Sequence, residues 1–134
     1  MSTVTSTLVA AGVPKSLHAG AQSVFAQYVT TASLTAASVI QMIPVPSGAR
    51  LVDGWVKSPG TGYLVSVGDG GDVDRYVQSK SGSALQRFEV AAGMGYQYSV
   101  SDDAIVRWDT IDILIGSAAA TGTFQMCVTY AMDT

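Results

Sequence analysis

The chain reads as an all-β protein, an antiparallel sandwich of jelly-roll-like type, and three observations predict it. Apolar and polar residues alternate with a period of two in several separate stretches. Turn-forming Gly, Pro, Asp and Ser clusters interrupt the chain about every ten residues, the spacing of short strands joined by tight connections. From residue 21 onward the chain reads as strands, and Ala118 to Ala120 is too short to nucleate a helix.

The C-terminal stretch carries the clearest pattern. Phe124, Met126, Val128, Tyr130 and Met132 alternate with Thr123, Gln125, Cys127, Thr129 and Ala131, which places one apolar face and one small or polar face on a strand. Tyr96, Tyr98 and Val100 alternate with Gln97, Ser99 and Ser101, and Ile111, Ile113 and Ile115 alternate with Thr110 and Asp112 before Gly116. Further strands are expected over 23–31, 38–45, 50–57, 63–67, 74–78 and 85–90. Pro44 and Pro46 remove two ladder donors and end a strand, and Pro59-Gly-Thr-Gly62 closes the next connection.

Residues 1–20 differ in character. They are small, rich in Ser, Thr and Ala, and broken by Gly12, Pro14 and Gly20. We read them as an extended N-terminal arm preceding a sandwich domain over 21–134. Thr3, Val4, Thr5, Leu8 and Val9 carry the β-branched and apolar side chains with which such an arm would add a strand to a partner's sheet edge. A partly disordered tail is the plainer alternative.

At 134 residues one domain is expected, burying roughly two-thirds of its unfolded surface. Charged residues make up 13% of the chain, about half the usual share. The net charge is −3 and no two of the seven basic residues are adjacent, so no patch is available to displace counterions from nucleic acid. No window approaches the ~20 apolar residues of a membrane helix, and the first residues lack the pattern of a secretory signal. Synthesis in a reducing cytoplasm is expected. With Ser and Thr where Lys and Glu would ordinarily face water, much of the surface is expected to be covered in an oligomer or larger assembly.

Val67-Gly-Asp-Gly-Gly-Asp-Val-Asp-Arg75 concentrates three carboxylates and three glycines in nine residues. The structural reading is a tight turn: Gly68, Gly70 and Gly71 supply backbone freedom, while Asp69, Asp72 and Asp74 bond nearby N–H groups and Arg75 offsets their charge. A Ca²⁺-stabilised turn is the alternative, although the spacing and closing Glu of the helix-loop-helix calcium motif are missing.

Other chemistry finds little support. Asp102, Asp103, Asp109 and Asp112 offer carboxylates for a glycosidase, but Asp102-Asp103 has the look of a hairpin turn and Glu89 is the only glutamate. One His18 and one Cys127 exclude the usual triads and zinc sites, and Cys127 reads as a small filler on its strand. Trp55, Trp108, Tyr63, Tyr76, Tyr96 and Tyr98 could stack on sugars if they shared an exposed groove; on strands such residues are more often core. No catalytic constellation emerges, and no cofactor or metal is expected.

Two segments carry a resemblance. Val39-Ile-Gln-Met-Ile-Pro-Val-Pro-Ser-Gly-Ala-Arg-Leu-Val-Asp53 and Val67 to Tyr76, with Gly93-Met-Gly-Tyr-Gln-Tyr98 and Phe124 to Tyr130 in support, resemble short structural proteins encoded among the head genes of tailed phages. The likeness runs over about residues 25 to 130. It implies a role similar to capsid decoration or cement proteins: β-sandwiches or jelly rolls, commonly trimers, that bind the major capsid protein on the outside of the head and stabilise it. It would place the chain in the virion, without enzymatic activity, and make the 67–75 segment a turn signature. A tail or fibre component binding receptor glycans is the alternative role.

Overall fold

Alternating side chains become alternating faces as soon as strands pair, and the core follows from that. The computed structural model describes residues 3–10, 20–46, 48–60, 62–89, 93, 95–98, 108–117 and 119–132. In chain order the elements are β1 (Thr3–Thr5), α1 (Thr7–Ala10), β2 (Gly20–Val29), β3 (Val39–Pro46), β4 (Ala49–Lys57), β5 (Leu64–Gly68), β6 (Val77–Ser81), β7 (Gln86–Arg87), β8 (Trp108–Gly116) and β9 (Thr123–Met132).

The pairing is nested. β2 pairs with β9, β3 with β8, β4 with β7 and β5 with β6, every pair antiparallel. The four pairs together form one long ribbon whose two halves fold back so that β4 also lies against β9, and β5 against β8. Two sheets result, with orders β1-β3-β8-β5-β6 and β2-β9-β4-β7. The expected antiparallel sandwich is therefore what the chain forms.

Its interior is the apolar half of each alternation. Phe124, Met126, Val128 and Tyr130 of β9 face Ile111, Ile113 and Ile115 of β8, with Ile40, Met42, Ile43, Val45, Leu51 and Val67 around them, all fully buried. Each such side chain contributes roughly 1.5–3 kcal/mol of burial. Pro44 and Pro46 sit inside β3, not beyond its end. They are tolerated because β1 reaches only Val39 to Gln41, which leaves the rest of β3 paired on one side among the described residues.

The first residues lie against their own sandwich. β1 runs parallel to β3, the Ser6 amide donates to the Gln41 carbonyl, the Ser6 hydroxyl donates to the Met42 carbonyl, and Val9 is buried. Residues 11–19 of the expected arm, including His18, lie outside the described residues.

Three strand expectations need correction. The strand expected over 74–78 begins at Val77, because residues before it are still held in the turn. The one expected over 85–90 shortens to Gln86–Arg87. In place of a strand from Tyr96, Gln97 makes a single bridge to Arg50, and 99–101 lie outside the described residues.

Candidate functional site

The 67–75 segment links β5 to β6, and its centre is the Asp69 side chain. The backbone closes first: the amides of Asp69 and Arg75 both donate to the Asp72 carbonyl, at 2.9 and 3.4 Å, and the Tyr76 amide donates to Val67 at 2.8 Å. Gly68 is required here because a Cβ would run into the Asp72 and Val73 carbonyls. Gly93 meets the same limit against the Arg75 carbonyl, so the 93–98 segment packs directly on the turn.

The Asp69 carboxylate is 2% exposed and accepts from five donors. Oδ1 takes the Gly71 and Asp72 amides, each at 2.9 Å, and Arg75 Nη2 at 3.2 Å. Oδ2 takes Arg75 Nε at 2.6 Å and the Tyr98 hydroxyl at 2.7 Å. The Tyr98 oxygen in turn lies 2.6 Å from that of Tyr76. Arg75 stacks 3.6 Å above the centre of the Tyr96 ring, and Tyr76 stacks on Phe88.

Burial by itself would raise the Asp69 carboxyl, but Arg75, the Tyr98 hydroxyl and the Gly71 amide outweigh it and hold it below its ordinary value. Its hydrogen bond with Asp69 keeps Arg75 protonated. Burial pushes the Tyr98 and Tyr76 hydroxyls above the usual phenol range. Asp74 is raised chiefly by its hydrogen bond with neighbouring Asp72.

Two further carboxyls approach on β8. Asp109 accepts from the Thr110 amide at 2.7 Å, and burial raises it. Asp112 accepts from the Thr110 hydroxyl at 2.6 Å and is pushed up to about 7, by burial first and then by the charges of Asp109 and Asp69.

This arrangement holds a turn. A general base or metal ligand needs a lone pair to offer, and both Asp69 oxygens are already committed to N–H and O–H donors. Among the described residues no three His, Cys, Asp or Glu side chains gather as a metal site would require. Asp102 and Asp103 lie outside the described residues.

The aromatic candidates share no one groove: Tyr96 is 40% exposed against Arg75, and the side chain of Trp108 lies outside the described residues. Tyr63, Tyr76 and Tyr98 are core. Trp55 stands on the outer face of the four-stranded sheet, where Phe25, Cys127, Trp55 and Arg87 form one register row across β2, β9, β4 and β7. The Phe25 and Trp55 rings lie 6.2 Å apart over Cys127. Sequence reasoning did not single out Phe25. Its signal was present, since Phe25 and Val29 fall opposite Val24 and Ala26 in the β2 alternation and are more than half exposed.

No protein-family model matches the chain, and no curated protein does. Two solved structures share its fold. A chain from the capsid of Ralstonia phage GP4 superposes with a TM-score of 0.74 at 11% identity, over 91% of this chain and 92% of that one. A chain from the capsid asymmetric unit of cyanophage Pam1 superposes with a TM-score of 0.64 at 19% identity, over 90% and 91%. At these identities the likeness defines a class, the β-sandwich seen in those two phage capsids.

Proposed function

We propose that this chain is a non-enzymatic structural protein of a tailed-phage virion, bound to the outer surface of the head as a decoration or cement protein. The observation that carries the reading is the end-to-end fold match with a chain of the Ralstonia phage GP4 capsid, over nine-tenths of both chains. The nested strand order, which we read as a jelly roll, supports it, as does a polar network spent on holding a turn.

In this reading the partner is the major capsid protein and the chain acts as a homotrimer. Bridging several capsid subunits at once turns weak contacts into strong retention through effective concentration. The segment carrying Thr3, Val4, Thr5, Leu8 and Val9 is the proposed partner-binding arm. β1 forms one edge of its sheet, and its outer side has no strand partner among the described residues, so a capsid strand has a place to add. The turn of Gly68, Asp69, Gly70, Gly71, Asp72, Asp74 and Arg75 serves as scaffold. The protein would be made in the host cytoplasm and end on the capsid exterior.

The deciding experiment is the copy number in purified particles, by quantitative mass spectrometry against the major capsid protein. Hundreds of copies in fixed ratio are expected. A handful would favour a tail or fibre component that binds receptor glycans, the second reading, for which the exposed Phe25–Trp55 pair offers a stacking surface. Absence from the particle would overturn both.

A further inference from the structure

The outer face of the four-stranded sheet differs from the rest of the surface. β2 and β9, ten residues each, contain no charged residue. Their register runs unbroken from Gly20 opposite Met132 to Val29 opposite Thr123, so this half of the face carries no bulge. Its polar side chains satisfy one another: the Ser23 and Thr129 hydroxyls are 2.7 Å apart, and Gln125 Nε2 donates to Gln27 Oε1 at 3.1 Å. Groups already paired lose little when water leaves. Phe25 at 52% and Val29 at 54% exposed stand among them, with Val52 at 51% on the bulge of β4.

Charge gathers along one side of this face. Arg50, Lys57 and Arg87 lie on β4 and β7 with a single carboxylate, Asp53, which gives the face a formal charge of +2. The whole chain is −3, so the remainder carries −5. A second copy laid face to face on the same sheet would meet like charge. A second copy presenting its 67–75 turn, where Asp69, Asp72 and Asp74 outnumber Arg75, would meet opposite charge. Other protein sheet faces gain specificity by the same complementarity.

We propose that the face built on Phe25, Cys127 and Trp55 is a subunit interface, occupied by the acidic 67–75 turn of a second copy of this chain. The contact is heterologous, one patch against a different patch, and such contacts build a ring where the rotation between copies closes. The inference rests on the oligomeric part of the function proposed above and names the surface that makes the oligomer.

The test uses the isolated full chain at about 50 µM, a concentration at which a specific interface of ordinary affinity is populated. Its mass is read by light scattering coupled to size exclusion, with vesicle-free, capsid-free protein. A multiple of the 13.8 kDa chain is expected. Phe25→Asp and, separately, Val29→Asp put a charge in the middle and at the end of the exposed side of β2, and each should weaken assembly at least a hundredfold. Both positions are exposed, so the melting temperature of each monomeric variant serves as the folding control.

The double variant Lys57→Glu with Arg87→Glu reverses the face to −2. Opposite-charge docking predicts about tenfold weaker assembly, and like-face docking, with −2 against −2 in place of +2 against +2, predicts unchanged assembly, which would overturn the heterologous contact. A monomeric wild type, or Asp variants that keep the oligomer, would overturn the interface. Particle copy number is read independently. An oligomer that dissociates with these variants but is absent from particles would sink the capsid role and leave the interface standing.

Discussion

Replacing Asp69 by Ala strips five donors of one acceptor and leaves the Arg75 guanidinium, 15% exposed, without its counter-charge. Breaking a buried pair from one side costs about 3–5 kcal/mol, because the surviving charge stays desolvated. Arg75 keeps some solvent and the Tyr96 ring, which places the expected loss in the lower half of that range, about 3.5 kcal/mol. For 134 residues the unfolding entropy is about 280 cal/mol/K, so the melting temperature should fall by about 12 °C.

The assay is thermal melting followed by far-ultraviolet circular dichroism, and pH supplies a second dimension. The folded-state carboxyl titrates below its ordinary value, so its contribution is present above the unfolded aspartate range of about 3.9 and is lost as pH falls through the lower folded value. The gap between wild type and Asp69→Ala should be full at pH 7 and close on acidification below that range. A gap under about 3 °C at pH 7 would refute the reasoning, since one exposed hydrogen bond accounts for that much. A gap independent of pH would refute the ionic part alone.

Four further outcomes follow from the same geometry. Asp112 has its folded value raised to about 7, so the wild type gains stability as pH falls from 7 toward 4; Asp112→Asn should remove that slope and melt higher above pH 7, by about 1–2 kcal/mol after solvent screening. Gly68→Ala drives a Cβ into two carbonyls of its own turn and should prevent soluble expression or lower the melt by more than 10 °C, about 3 kcal/mol. Deleting residues 1–10 removes the parallel strand from β3 and uncovers the Val9 contact; the sandwich should still fold, lose about 2–3 kcal/mol in melting, and bind particles less. EDTA should leave the melt unchanged, because both Asp69 oxygens are taken by N–H and O–H donors; a fall of several degrees would restore a cation to the turn.

How much of this was legible in the sequence depended on range. Period-two patterns located β3, β4, β8 and β9 because a strand with one buried face records that face in every second residue. Tyr96 and Tyr98 show the same alternation for another reason. One ring lies under the Arg75 guanidinium and the other carries its hydroxyl to Asp69, so two side-chain duties imitate a strand. The Gly and Asp of 67–75 announced a turn and its Arg75 partner, all within nine residues. Tyr98 lies 29 positions from Asp69, and no local rule connects them. Strand order was invisible for the same reason: the β2–β9 pair joins residues 94 to 112 positions apart, from Val29 with Thr123 to Gly20 with Met132.

Strongly perturbed carboxyls ordinarily mark a reaction centre, and this chain has several, so the distinction between a catalytic and a structural cluster has to be made on geometry. A catalytic carboxylate keeps a lone pair or a proton facing a cavity. Asp69 faces two backbone amides, a guanidinium and a phenol, and its perturbation is the trace of their stabilising one charge in one conformation. That holds the 67–76 turn and Tyr98 in one arrangement. The opposite economy holds on the β2–β9 face, where twenty residues carry no charge and the polar side chains bond each other in place of water. A free monomer gains nothing from such a face and risks association through it. A subunit gains a surface that desolvates at little cost, carried by a sandwich whose Asp69–Arg75 ion pair fixes the connection from β5 to β6.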